Sequence, residues 1–374
     1  MTEGKAVSRS LSTLGEPLPK FADEKAGEIT CPSSFQPVIT FGRVIGAIHM
    51  TTPGRRHLRP LAILYSMLVT LWLTVVAARY LSFFQPGRES FSAPTLMKVL
   101  AVSFTLIALL SHLVFLRMQI RFPQLLFARM STALQLTGED EGSLRRLAYG
   151  CLAYCIVISL AVAGSVLLFL SGLFPNSPPY PSPFMLVPGP RPLLLLDCLA
   201  VFCSQSTVCF GLSVYVMSCG MMTRGLRRFQ VELRKAAPHL SESVEQLHLR
   251  YAKLHLCCAE LCAAFRGLTG LHYFSCVPFI SATLYQIFSG ETTEPIILAT
   301  LAIWVVGFTI TLIVITIPAV QVQEQALELS GTMSQVFTEH DGGNTGKPTD
   351  AVKLVSSTEL NLCAVSLCCV VALS

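Results

Sequence analysis

Residues Ser241–Phe288 read SESVEQLHLRYAKLHLCCAELCAAFRGLTGLHYFSCVPFISATLYQIF. In the first half of this stretch, Val244, Leu247, Tyr251, Leu254, Cys258, Leu261, Phe265 and Leu268 recur at alternating steps of three and four. That spacing is the a/d seam of one helix face. The remaining faces carry Glu245, His248, Arg250, Lys253 and Glu260, which suit water. From Leu268 to Phe288 the charges disappear and the run is long enough to cross a bilayer. The spacing therefore predicts one rod, amphipathic in an aqueous compartment and then apolar through the membrane. At roughly 1.5 Å per residue it is about 70 Å long, and a bilayer core takes only about 30 Å of that. Pro238 stops any helix arriving from upstream, and Ser243 with Gln246 offers a capping box at the new start.

Composition extends the same reading to the whole chain. Of 374 residues, 52% are hydrophobic and only 13% charged, against about 25% charged in a soluble domain. The fold class this predicts is an all-α membrane protein, a polytopic helical bundle. The net charge of +5 is no nucleic-acid signal, because the basic residues cluster beside the apolar runs. Most of the fourteen cysteines lie within those runs, where a free thiol packs as a small hydrophobe. The start, MTEGKAVSRS, has no apolar core and does not read as a signal peptide.

In chain order, residues 1–35 read as a disordered cytosolic tail, and Phe35–Met50 as a segment lying on the membrane surface. Spans one to four fall within residues 36–220, at about 61–84, 96–116, 147–174 and 193–219. Between spans three and four, 175–192 is a stiff proline-rich loop. Residues 221–267 read as cytosolic amphipathic helices, and 268–317 as spans five and six. A kink at Pro318 then leads into a cytosolic helix and loop over 318–353, the loop beginning at 338. On that helix Val322, Ala326, Leu329, Met333 and Val336 repeat the seam spacing. The start of a short or truncated seventh span occupies 354–374. Its clean apolar run, Leu360–Leu373, reaches only about 21 Å as a helix, short of the membrane core.

Arginine placement orients the bundle. The segments before span one, between two and three, and between four and five are Arg-rich, whereas the alternate ones hold only Arg88 and Arg191 besides acids. Positive residues stay inside, so the N-terminus is expected in the cytosol, with long cytosolic helix extensions. Two apolar seams on that side can pack within one chain or between subunits, and both remain open. The oligomer-anchor candidates are Val244, Leu247, Tyr251, Leu254, Cys258, Leu261, Phe265, Ala326, Leu329 and Met333.

No catalytic motif stands out: there is no Walker loop, no Gly-x-Gly-x-x-Gly and no His-Glu-x-x-His. The chain does not read as an enzyme, and no cofactor or metal is implied. His255, Cys258 and Cys262 share a helical face, but seam packing explains them better than a metal. His112 and His272 read as interfacial residues. Ligand candidates are the polar and aromatic groups in the outer halves of the spans, since a pocket needs an apolar lining with a few polar groups. They are Arg79, Ser165, Phe169, Asp197, Gln205, Thr283, Tyr285, Gln286, Thr300 and Trp304. The competing explanation for each is ordinary helix packing or interfacial anchoring.

Three places in this order resemble the arthropod gustatory receptor family. Phe35-Gln-Pro-Val through Val44-Ile-Gly-Ala-Ile is similar to its lead-in to span one. Leu247 through Tyr285, with Leu254, Leu261, Phe265 and Gly267, is similar to its long helix running into span five. Gln323-Glu324-Gln325-Ala326 through Met333 looks like its helix after span six. The Thr-Tyr and Gln-Phe signature of its span seven is missing before Ser374. The resemblance implies a taste receptor: a subunit of a ligand-gated non-selective cation channel, detecting small-molecule tastants. It further implies a homo- or hetero-tetramer with related receptors, in contact with membrane lipid, in the plasma membrane of sensory neurons. The alternatives are a truncated, non-conducting membrane subunit and a seven-span G-protein-coupled receptor. The latter requires the N-terminus outside and lacks its Asp/Glu-Arg-Tyr and Asn-Pro-x-x-Tyr motifs here.

Overall fold

The computed structural model describes residues 33–48, 59–82, 93–121, 141–170, 192–236, 244–289 and 295–341. Residues 1–32 of the tail expected over 1–35, residues 175–191 of the proline-rich loop and the seventh span lie outside them. The described residues form seven helices: α1 (Gln36–Val44), α2 (Arg59–Ser82), α3 (Ala93–Arg121), α4 (Glu141–Leu170), α5 (Pro192–Ala236), α6 (Val244–Phe288) and α7 (Pro295–Asp341).

The rod read from Val244–Phe288 is present as one unbroken 45-residue helix, α6, which also continues through Pro278. Two other helices match it in length. α5 is 45 residues long, so the Arg-rich stretch after the fourth span continues that span directly. α7, 47 residues long, carries its helix through Pro318 without interruption and on to Asp341, into the stretch expected as a loop.

By length and composition, five helices among the described residues are apolar enough to cross a membrane, in the stretches Pro60–Ser82, Lys98–Arg117, Gly142–Ser165, Cys198–Lys235 and Leu298–Gln335. The Leu268–Phe288 half of α6, expected as the fifth span, is not among them. Its polar residues account for this: His272, Ser275, Thr283 and Gln286 are all buried against neighbouring helices. A span whose polar side chains face protein needs less hydropathy than one surrounded by lipid.

α5 is the centre of the bundle. Its apolar stretch is 72% buried, against 17% for that of α7. The sequence of α5 explains the position. Ser204, Ser206, Thr207, Ser213 and Ser218 are all buried on it, and small residues let helices approach closely in a membrane. Ser206 Oγ donates to Ser159 Oγ of α4 at 3.1 Å, and Cys155 Sγ lies 3.0 Å from Ser213 Oγ. A methyl group on Gly211 would stand 3.0 Å from Phe115 of α3 and 3.2 Å from Leu268 of α6. Three helices therefore close on one glycine. His112 shares a helix face with Phe115, and His272 with Leu268. This accounts for a correction: both histidines are buried in the bundle, not interfacial.

A second correction concerns the lead-in. A single 3-10 turn (Ser33–Phe35) and α1 do not lie on the membrane surface but enter the core. Phe35, Val38, Ile39, Ala47 and Ile48 are buried. Gly46 makes the turn possible, because its φ of +73° is a conformation that L side chains rarely adopt. Two hydroxyls of α2 then hold the turn: Tyr65 donates to the Val44 carbonyl at 2.6 Å and Ser66 to the Gly46 carbonyl at 2.7 Å.

At the same end of the bundle the extended halves of α5, α6 and α7 pack together. Tyr215 stacks edge-on against Phe265 at 5.6 Å, and Phe229 lies face to face with Tyr251 at 6.4 Å. Gln230 Nε2 of α5 donates to Thr332 Oγ1 of α7 at 3.0 Å. Tyr251, Leu254, Cys258, Leu261, Phe265, Ala326, Leu329 and Met333 all enter one core with Leu226, Phe229 and Leu233. Within the single chain, these described residues of both heptad seams are thus already occupied. Where this core meets water, burial of each large apolar side chain contributes about 1.5–3 kcal/mol. Among lipid chains that driving force is absent, and close packing with interhelical hydrogen bonds replaces it.

Candidate functional site: a neutral cavity between helices

The half of the bundle remote from α1 contains a cavity of about 400 Å³ bounded by α3, α4, α5, α6 and α7. Its wall is mostly apolar. Phe279 of α6 and Phe308 of α7 stand with ring centroids 4.8 Å apart, next to a small core of Leu100, Phe279 and Leu301. Gly164 of α4 and Gly307 of α7 also line it, and a methyl group built on either would meet nothing within 4 Å. The space exists partly because these two positions carry no side chain.

Polar groups are few and converge from different helices: Ser165, Gln205, Thr300, Trp304 and Thr311. Ser165 Oγ donates to the Val162 carbonyl at 2.7 Å and accepts the Trp304 indole N–H at 3.3 Å. Gln205 Nε2 donates to Cys209 Sγ at 3.2 Å, a weak acceptor that a ligand oxygen can outcompete. None of the described lining residues carries a charge. An ion entering here gains no partner for its lost hydration, so the cavity suits neutral molecules. Its volume lies within the range of small-molecule sites, about 300–1,000 Å³.

Of the ligand candidates read from the sequence, Ser165, Gln205, Thr300 and Trp304 come together at this cavity. Thr283 is buried in α6 and spends its hydroxyl on the Phe279 carbonyl at 2.7 Å. Gln286 is also buried on α6, and Tyr285 is exposed. Arg79 lies half-buried near the end of α2, where its carbonyl accepts Ser82 Oγ at 2.7 Å. None of these four is among the lining residues. The side chains of Phe169, Asp197, Val244 and Leu247 lie outside the described residues. Sequence reasoning missed Leu100, Phe104, Val201, Phe279, Ile303 and Phe308, because in an apolar helix a cavity-facing side chain has the same chemistry as a lipid-facing one.

No group of three or more His, Cys, Asp or Glu side chains is placed to hold a metal among the described residues. Cys258, weighed above as a ligand, is buried, and that burial pushes its thiol well up from the ordinary range, as do Cys262, Cys257 and Cys219 beside it.

Comparison with known proteins adds the following. The model of the family described as 7tm chemosensory receptor matches residues 35–344. No curated protein matches the chain. The fold is similar to that of the insect olfactory receptor OR5 from Machilis hrabei, with a TM-score of 0.63 at 13% identity, over 89% of this chain and 88% of that one. It is also similar to the structure of OR5 in complex with eugenol, with a TM-score of 0.61 at 14% identity, over 89% of each chain.

Proposed function

The chain belongs to the 7tm chemosensory receptor family, and from that premise we propose that it is a taste-type receptor, a subunit of a ligand-gated non-selective cation channel whose stimulus binds in the cavity between α3, α4, α5, α6 and α7. The observation that carries this reading is the cavity itself. It is neutral, about 400 Å³ in volume, and set with convergent polar groups from separate helices. Binding there can be converted into motion, because α5 and α7 run unbroken from the cavity to the opposite end of the molecule.

The remaining parts of the reading follow the arginine asymmetry and the family. The α1 end faces the cytosol, and the receptor resides in the plasma membrane of sensory neurons. The packed extensions of α5, α6 and α7 serve as the anchor of a tetramer. Tyr251, Leu254, Cys258, Leu261, Phe265, Ala326, Leu329 and Met333 shape that anchor from within, while exposed Val231 and Leu327 are available to neighbouring subunits.

The test is electrophysiological. The receptor is expressed alone and with related subunits, and cation current is recorded against a panel of neutral tastants, with eugenol, the ligand of the OR5 complex, as a first probe. Stimulus-evoked current that weakens in Gln205→Leu supports the reading. Silence across the panel despite delivery to the cell surface removes it.

A further inference from the structure

Of the exposed residues that line the cavity, the two large ones also open onto the outside of the bundle: Leu160 of α4 is 58% exposed and Ile303 of α7 is 64% exposed. A side chain that borders a cavity and is also bare on its other side stands at the cavity mouth. Both are aliphatic, and both lie inside stretches apolar enough to cross a membrane. Ile303 is eight residues into α7, about 12 Å along its axis. That depth is within a hydrocarbon core of about 30 Å, where the surroundings are acyl chains.

The packing explains why a gap exists at this place. α4 packs closely on α5, and α7 packs closely on α5 and α6, whereas α4 and α7 make little contact with each other. Two side-chain hydrogen bonds cross the gap: Trp304 to Ser165, at 3.3 Å a long one, and Tyr154 with Thr311 deeper in the bundle. Gly164 and Gly307, with open space where side chains would stand, line the cavity from the two helices that flank the gap. The gap is thus bounded by two loosely joined helices, a glycine on each, with the long Trp304–Ser165 bond on one side and the Tyr154–Thr311 bond on the other.

We propose that the stimulus enters the cavity sideways from the bilayer, between α4 and α7, with the Trp304–Ser165 hydrogen bond as the latch. This rests on the reading of the cavity as the stimulus site. It also selects the class of stimulus: a small uncharged amphiphile that dissolves in acyl chains and carries one hydrogen-bonding group. On entry that group takes over a partner, accepting from the Trp304 indole or donating to Ser165 Oγ. Sugars and ions, which remain in water, do not take this route.

The chain contains two tryptophans, so Trp72→Phe leaves Trp304 as sole reporter. The full chain is reconstituted in phosphatidylcholine vesicles with plain or brominated acyl chains, and Trp304 emission is read against each, and against acrylamide in the water. The expected result is loss of most emission to brominated chains and little to acrylamide. Adding Gly164→Leu or Gly307→Leu, each of which fills open space, restores emission in brominated vesicles. Stronger quenching by acrylamide than by brominated chains overturns the lateral route, as does bromine quenching that both leucine variants leave unchanged. No stimulus is needed for this readout, so the two readings fail separately. If Gln205→Leu weakens the stimulus response but brominated chains do not quench, the cavity reading survives and the route is overturned. If brominated chains quench as expected but Gln205→Leu leaves the response intact, the cavity is open to acyl chains but the stimulus-site reading, and with it the entry of the stimulus by this route, is overturned.

Discussion

Gly42 of α1 lies so close to Phe210 of α5 that a methyl group on it would stand 2.6 Å from the ring carbon Cε2 and 2.7 Å from Cζ. The ring has little freedom to retreat, because its other contacts include Phe115, 5.2 Å away between centroids. Ile48 closes the same space at 2.9 Å. Gly42→Ala is therefore expected to destabilise the receptor by about 1–3 kcal/mol, the usual cost of overpacking. A lowered unfolding midpoint in lipid nanodiscs checks this. Phe210→Leu, added to Gly42→Ala, should restore part of the loss, which an unrelated destabilisation would not allow.

The turn after α1 depends on two hydroxyls of α2. Ser66→Ala leaves the Gly46 carbonyl without the hydroxyl that now reaches it at 2.7 Å, at a cost of about 1–3 kcal/mol for a buried acceptor left unpaired. The loss should be local. Hydrogen exchange is expected to speed up across Gln36–Val44 while the centre of α5 stays protected, and uniform loss of protection in both would count against this account.

Where α5 and α7 meet beyond the spans, Gln230 and Thr332 are buried together and bonded at 3.0 Å. Thr332→Val strands the Gln230 amide and is expected to cost about 1–3 kcal/mol. The double variant Gln230→Leu/Thr332→Val removes both polar groups and should cost less than the sum of the single changes. Denaturation midpoints of the four proteins in the cycle give the answer.

Gln205→Leu keeps the size of the cavity wall and removes its amide. For a stimulus that hydrogen-bonds to this amide, the concentration giving half-maximal current should rise about three- to tenfold, corresponding to a bond worth roughly 1 kcal/mol. A stimulus with no polar group should be unaffected. An equal shift for both kinds would place the effect in gating and not in the cavity.

Burial raises the Cys258 thiol well above the ordinary range, so the thiolate that reacts with a maleimide is scarce at neutral pH. Cys258 is expected to remain unlabelled in the folded receptor at pH 7 and to label fully in denaturant. Mass spectrometry of tryptic peptides reads this directly. Rapid labelling of the native protein would show that the seam opens.

The architecture was legible in the residues because membrane helices follow simple rules: apolar length and the period of the Val244–Leu268 seam. Those rules act along one helix and need no knowledge of its neighbours. They were weakest where a neighbour decides the outcome. Val244–Phe288 was read correctly as one rod, yet its apolar half falls short in hydropathy because His272, Ser275, Thr283 and Gln286 face other helices. Nothing local in Phe35–Met50 reveals that Gly42 makes room for Phe210, so from sequence alone this lead-in looks like a segment on the membrane surface.

The same division applies to the site. Ser165, Gln205, Thr300 and Trp304 were identifiable as polar or aromatic groups in apolar spans, each of which needs a partner or a role. Arg79, Thr283, Tyr285 and Gln286 qualified by the same argument and do not line the cavity. By itself the amino-acid order determined that the chain is an all-α bundle of long apolar helices and that Val244–Phe288 is one helix. Only the tertiary structure decided that α5 is the hub, that the described seam residues are buried within one chain, and that a cavity lies between α3, α4, α5, α6 and α7. Helix length and polarity are properties of consecutive residues, whereas a cavity is space left between residues distant in sequence, and no local pattern encodes it.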